Sequence, residues 1–314
     1  KGSLQPMEAL RIFTGAALPS CADTVVIQEN VIKDDNRITI KDSKLYKGSN
    51  IRLRGSQTKQ GELVLKAGHL LTPASVTFLA GLGIEAVNVY SNPSVSIIAT
   101  GKELIKPGEA LSEGRIFESN SFGLKAALEQ MNISPVTTEM VDDDDDEALI
   151  IRAIKRRLNS DILILTGGVS VGDYDFVATA LEKCEVKKVF HKVKQKPGKP
   201  FYFGKHQQTL VFGLPGNPAS VLICFYEYVS VAIGHLTKKE YFKKIELPLA
   251  NDFSKKKGLT FLLKGKANGN KVSILNDQES YKMNSFAEAD CLIELEEEKE
   301  EFKEGDLVNV RMIV

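Results

Sequence analysis

The sequence predicts a multidomain α/β plus β protein. Its centre is a three-layer α/β/α domain on a mainly parallel sheet. Around it stand an elongated mixed α/β region, the remnant of a small β domain and a C-terminal β-barrel-like domain. Three observations carry this. Strand and helix patterns alternate at βαβ spacing over 93–238. One of those strands, Ile162 to Leu165, is continuously apolar, as a strand covered on both faces must be. After residue 239 the pattern changes to short β-like runs broken by turn clusters such as Asn268-Gly269-Asn270.

Taken in order, 1–46 reads as short strands. Ile12-Phe13 and Val25 to Ile27 are separated by Gly15 and Pro19, and Asp34-Asp35-Asn36 turns Val31-Ile32 back onto Ile38 to Ile40. This is too little for a freestanding domain. In 47–92, Thr72 is an N-cap with Pro73 in the first turn, so a helix runs through Leu79 and stops at Gly81 and Gly83 before a strand, Ile84 to Val89. That segment is read as part of a linker or dimerisation domain. In 93–238, Val95 to Thr100, Val136 to Val141, Ile162 to Leu165 and Leu210 to Phe212 are strands. Asn120 to Gln130, the stretch after Asp142, Phe176 to Leu181 and the run from Ala219 are helices. The last domain is 239–314.

Lys plus Arg equals Asp plus Glu at 41 each, so no global field draws the chain to nucleic acid or a membrane. No apolar run approaches the roughly 20 residues that span a bilayer. The cysteines, Cys21, Cys184, Cys224 and Cys291, form no CxxC and read as small apolar residues in a reducing cytoplasm. The chain opens Lys1-Gly2-Ser3, with neither signal peptide nor initiator Met, which predicts a missing front segment.

Ligands of open α/β sheets sit beyond the carboxyl ends of the strands. Three loops leave those ends. The first, Thr166 to Asp175, offers Gly167, Gly168 and Gly172 for close backbone approach, the hydroxyl of Ser170, and two acids. Asp173 and Asp175 are either helix-opening acids stabilised by the dipole or a carboxylate pair for a divalent cation such as Mg²⁺. The second, Lys194 to Pro200, stiffens Lys196 and Lys199 between prolines as point charges for phosphate or an oxyanion. The third, Gly213 to Ser220, joins a strand to a helix through Pro215, Gly216, Asn217 and Pro218, with Ser220 close behind. A weaker fourth element is Thr100-Gly101-Lys102-Glu103, where Glu103 either orients a ligand or caps a turn. The run Asp142 to Asp146 reads as a solvated helix start, and the four histidines are isolated. No GxGxxG follows the first strand, so a dinucleotide site is excluded.

Arg11 to Ala16, Thr100 to Leu104, Thr166 to Phe176, Lys196 to Pro200 and Gly213 to Ser220 together resemble the molybdopterin molybdenumtransferase family, the MoeA proteins and the gephyrin E domain. The resemblance spans nearly the whole chain. It implies insertion of molybdate into adenylylated molybdopterin with release of AMP and help from Mg²⁺. It also implies a cytoplasmic homodimer and a molybdopterin adenylyltransferase as partner. On that pattern Asp173, Asp175, Glu103, Lys196 and Lys199 are catalytic, with the two aspartates holding metal. Thr100, Gly101, Gly167, Gly168, Ser170, Gly172, Pro215, Gly216, Asn217, Pro218, Ser220 and Ser280 bind the pterin substrate.

Three departures stand out. The family's Asn-Ser-Ala-Met-Asp-Gly segment is absent. Arg52-Leu53-Arg54-Gly55-Ser56-Gln57 stands where members read Arg-x-x-Gly-Glu-Asp, so an amide replaces an acid. Lys102 stands where aspartate is common. These open the alternative of a catalytically weakened pterin-binding or scaffold homologue.

Overall fold

A computed structural model describes residues 4–142, 147–168 and 176–314. The chain divides into two compact units, 1–69 and 70–314. In the first, the regular structure among the described residues is a single 3-10 turn, Gln28–Asn30, and one antiparallel hairpin. The hairpin is β1 (Val31–Asp34) with β2 (Arg37–Ile40), turning at Asp35, whose φ is +45°. Two expected strands are irregular. Ile12-Phe13 lies in coil, and Val25 bonds to a turn instead of a ladder, through Val25 N to Ser49 O (3.0 Å) and Asn50 Nδ2 to Val25 O (2.8 Å).

The second unit opens with α1 (Pro73–Gly81). Thr72 and Ser75 cap it reciprocally, and Pro73 supplies the first turn. The expected strand Ile84 to Val89 is irregular. Ile84 donates its N–H to Leu79 O (3.1 Å) to finish the helix, and no strand among the described residues pairs with 85–89.

The α/β domain then runs β3 (Val95–Thr100), β4 (Leu104–Ile105), β5 (Ile116–Phe117), α2 (Asn120–Gln130), β6 (Val136–Val141), α3 (Glu147–Arg157), β7 (Ile162–Thr166), α4 (Phe176–Lys183), β8 (Lys187–His191), β9 (Gln195–Lys196), β10 (Tyr202–His206), β11 (Thr209–Leu214) and α5 (Pro218–Cys224). The sheet order is β6-β3-β7-β11-β10-β8 among the described residues; the first four strands are mutually parallel, and β10 runs antiparallel to both of its neighbours, β11 and β8. Alternation along β7 builds both flanking cores. Ile162 and Ile164 pack with Leu124 and Leu128 of α2 and Val221 of α5. Leu163 and Leu165 pack with Ile150 and Ile154 of α3 and Val177 and Leu181 of α4. All four β7 side chains are fully buried, each worth about 1.5–3 kcal/mol of transfer free energy. Helix α3 carries Glu147 in its first turn and Lys155, Arg156 and Arg157 in its last, matching its dipole.

Past α5 the chain makes one π turn (Phe225–Val229) and continues as α6 (Ser230–Thr237). This corrects the reading that nothing here is long and apolar enough to span a bilayer. Pro218–Thr237 meets that test by length and composition, because the helix joins apolar stretches across Glu227 and the tyrosines. More than half of it is buried inside the protein: Ala219, Val221, Ile223, Phe225, Val229 and Ile233 all lie in the core. Cys184, Cys224 and Cys291 are buried free thiols, whereas Cys21 is exposed.

The C-terminal domain comprises β12 (Lys244–Pro248), β13 (Phe253–Ser254), β14 (Thr260–Asn268), β15 (Lys271–Ile274), α7 (Asn284–Glu288), β16 (Cys291–Leu295), β17 (Glu301–Phe302) and β18 (Leu307–Met312). Its sheet runs β12-β18-β16-β14-β15. The edges curl together where Leu249 bridges Val272 and Ala250 N donates to Val272 O (2.9 Å), giving the barrel-like form. Strand β9 pairs in parallel with β14, so the lysine-bearing loop of the α/β domain is sewn into this sheet.

Candidate functional site

Helix α2, after β3, lies on one face of the sheet, and α4, after β7, lies on the other. The chain therefore diverges between the carboxyl ends of two adjacent parallel strands. That is a topological switch point, where open sheets leave a crevice.

Thr100, ending β3, is buried, and its Oγ1 donates to Thr166 O (3.3 Å) at the end of β7. Gly167 has φ +87°, and a Cβ there would lie 2.2 Å from Thr100 O. Gly168 has φ +62°, and its Cβ would lie 2.5 Å from Val177 Cγ2. Both positions exclude any side chain, so only glycine lets the β7 loop pack this closely on Thr100 and Val177. The carboxylate of Glu103 folds back over Gly101, where a Cβ would stand 2.9 Å from Oε1. At the end of β11, Pro215 is buried and Gly216 comes to Gly167, 3.8 Å from Gly167 Cα to an ideal Cβ on Gly216. Asn217 Nδ2 donates to Ser280 Oγ (2.9 Å), and Ala219 N donates to Ser280 O (3.1 Å). Pro218 opens α5, and Ser220 is buried within it. Thr100, Gly101, Glu103, Gly167, Gly168, Gly216, Asn217 and Ser280 thus form one cluster from four chain segments.

The turn that carries Ser280 is held by Lys264. This fully buried lysine donates from Nζ to Asp277 O (2.6 Å) and Lys282 O (3.1 Å), with a longer bond to Glu279 O (3.4 Å). Burial pushes its ammonium pKa down, partly countered by Glu279 and Asp277.

The second loop is tied elsewhere. Val193 N donates to Lys199 O (2.9 Å), closing the loop that carries Lys196 and Lys199, both exposed. Lys196 Nζ stands 5.3 Å from the Phe261 ring centroid, a cation–π distance. Gly198, at φ +86°, packs against Cys224 of α5. Cys224 lies six residues beyond Pro218, so α5 links this loop to the glycine cluster over about 9 Å of helix. Behind the loop a cavity of about 230 Å³ is lined by Lys194, Gln195, Glu227, Tyr228, Thr260 and Glu294 among others. It is a seam between the two domains, separate from the switch-point crevice.

Ser170, Gly172, Asp173 and Asp175 lie outside the described residues, as does most of the Asp142 to Asp146 run. Among the described residues, no three His, Cys, Asp or Glu side chains come together as a cation site.

Asn120 was not legible in the sequence. At the start of α2, its Nδ2 donates to Gly216 O (2.8 Å), while its Oδ1 is buried without a partner. Glu118, also buried, accepts from Ser121 N (2.8 Å) and Ser121 Oγ (2.5 Å) and so fixes the helix start beside it. The acid–Ser–Asn string before an apolar helix was the available local signal.

Three domain models cover the chain: the MoeA N-terminal region (domains I and II) at 1–83, a probable molybdopterin binding domain at 96–235, and the MoeA C-terminal region (domain IV) at 246–313. A molybdopterin molybdenumtransferase of Haemophilus influenzae is 36% identical over 314 residues, covering 96% of this chain and 76% of its own length. The chain belongs to the molybdopterin molybdenumtransferase (MoeA) family. A Staphylococcus aureus member is 33% identical over 310 residues, covering 96% of this chain and 73% of its own. A crystal structure of a Pyrococcus horikoshii MoeA protein superposes with a TM-score of 0.79 at 28% identity, over 96% of this chain and 74% of that one. The switch-point crevice therefore lies in the MoeA molybdopterin-binding domain, and the chain has its place in molybdenum cofactor biosynthesis.

Proposed function

We propose that this protein takes adenylylated molybdopterin and molybdate, releases AMP and leaves molybdenum on the pterin dithiolene. The observation supporting this reading is the meeting of the β3, β7 and β11 loops at the switch point. Side-chain-free backbone at Gly167 and Gly168 can approach an anionic phosphate there. On this reading Lys196 and Lys199 attract phosphate and molybdate as point charges. The pterin is held by Thr100, Gly101, Gly167, Gly168, Ser170, Gly172, Pro215, Gly216, Asn217, Pro218, Ser220 and Ser280, and Glu103 orients the ligand at the end of β3. Assistance by Mg²⁺ would rest on Asp173 and Asp175; the described residues by themselves do not make a cation site. The family pattern adds a cytoplasmic homodimer supplied by an adenylyltransferase. The test is AMP release from adenylylated molybdopterin, with and without molybdate, by the complete protein. Tight pterin binding without AMP would sink the enzyme reading.

A second reading, a weakened pterin-binding or scaffold homologue, is favoured by Gln57, which stands where members carry an acid. Gln57→Asp should then raise the rate of AMP release.

A further inference from the structure

We propose that Gln195 and Tyr228 form a positioning pair that sets the Lys196 and Lys199 ammonium groups, with the π turn placing the tyrosine. The inference rests on the reading of those lysines as anion-binding groups.

Gln195 is almost fully buried at the base of the lysine loop. Its Oε1 accepts the Tyr228 hydroxyl, and its Nε2 donates to Pro197 O (2.9 Å), midway between the two lysines. The carboxamide is thereby used at both ends, and its orientation is fixed by the donor and acceptor it meets. Gly198 closes down on the same group: a Cβ there would lie 2.7 Å from Gln195 Nε2 and 2.6 Å from Cys224 Sγ. The backbone of Gln195 is meanwhile held in register with Thr260 of β14. The loop is thus gripped at its centre from inside the protein, while the lysines at its two ends remain exposed.

Tyr228 reaches Gln195 from the π turn, marked by Ser230 N bonding to Phe225 O. Such one-residue insertions re-aim the side chains of a helix and occur frequently at functional sites. Here Phe225, Tyr226 and Val229 lie within the core, while Glu227 and Tyr228 stand at its edge, half-buried, with Tyr228 packed against it. Glu227 forms a two-pronged ion pair with Arg311 of β18 (2.9 and 3.0 Å). Tyr228 stacks on Phe201, with centroids 4.3 Å apart, and presents its hydroxyl to Gln195. Burial raises the phenol pKa, so the hydroxyl stays protonated and remains a donor. A helix that only filled the core with apolar side chains would need neither the extra residue nor these two polar groups at its edge.

The test compares wild type with Tyr228→Phe, which keeps the stack and loses only the hydroxyl, with Gln195→Met, and with the double variant. Two measurements are made on each: steady-state AMP release with molybdate varied, and competitive acylation of lysines read by mass spectrometry, with Lys303 as internal reference. A lost hydrogen bond predicts an apparent KM for molybdate raised about 3–10-fold in each single variant, with kcat changed less than about twofold. Acylation of Lys196 and Lys199 should shift while that of Lys303 does not. The double variant should be no worse than either single one, since the groups act as a unit. Wild-type KM and acylation in either single variant, multiplying effects in the double, or a fall in kcat at unchanged KM would each overturn the proposal. If the wild type releases no AMP, the functional reading fails and the acylation pattern alone decides the pair.

Discussion

Gly167 and Gly216 are neighbours in the crevice, yet their tolerance to a methyl group should differ sharply. In Gly167→Ala the new Cβ would stand 2.2 Å from Thr100 O, and that oxygen is backbone, so no rotamer can clear it. The residue also sits at φ +87°, where an L-side chain costs about 1–2 kcal/mol. Forcing the ends of β3 and β7 apart adds about 1–3 kcal/mol of overpacking. The sum, about 2–5 kcal/mol, corresponds to a Tm lower by roughly 4–20 °C at 2–4 °C per kcal/mol for a unit of this size. In Gly216→Ala the Cβ meets Gly167 Cα at 3.8 Å, ordinary contact, and the change should stay within about 0.5 kcal/mol. Calorimetric Tm and urea unfolding of both variants check this. A Gly167→Ala protein melting within about 1 °C of wild type, or a Gly216→Ala protein losing as much, would refute the steric account of the β7 loop.

The same geometry sets three other outcomes. Arg311→Met leaves the largely buried Glu227 without its partner and should lose about 3–5 kcal/mol in urea unfolding, whereas Lys303→Ala, breaking an exposed and solvent-screened pair with Asp252, should leave the urea midpoint essentially unchanged. Asn217→Ala and Ser280→Ala, combined in a double-mutant cycle on pterin binding, should show coupling of about 0.5–1.5 kcal/mol; strict additivity would mean that the bond is not retained in solution. At alkaline pH, burial pushes the Tyr202 phenol up to about 12 from 10.0, and burial, with Asp290 adding to it, pushes the Cys291 thiol up to about 12 from 9.0. Folding therefore favours the protonated forms. Their contribution is complete below pH 9 and is lost progressively between pH 9 and 12, as the unfolded chain ionises first. Tyr202→Phe should flatten part of that decline in a stability–pH series.

Much of the scaffold was legible because it is written in local periodicity. Alternation and apolar continuity placed β3, β6, β7 and β11 to within a residue or so, and Thr72-Pro73 marked the start of α1 through capping chemistry that needs no distant partner. Ile84 to Val89 and Val25 to Ile27 misled for the converse reason. A β-like composition makes a strand only when another strand is there to pair, and here the bonds go to a helix end and a turn.

The loops after β7 and β11, and the weaker element after β3, could be read from the sequence as parts of one site, since parallel strands bring their carboxyl ends together. The Lys194 to Pro200 loop, read with them as another wall, is instead tied to β14 and Cys224. Which groups meet inside that site was decided by tertiary structure. Asn120 reaches Gly216 across 96 residues, Asn217 reaches Ser280 across 63, and Tyr228 reaches Gln195 across 33. No sequence pattern encodes such pairs, because each depends on two elements docking at a particular height and rotation. By itself the sequence determined where glycines let backbone segments come together and where the loop lysines stand exposed. The packing of α2, α5 and the β domain decided how those groups are aimed, because hydrogen bonds and close contacts are fixed only once helices and sheets have settled against one another.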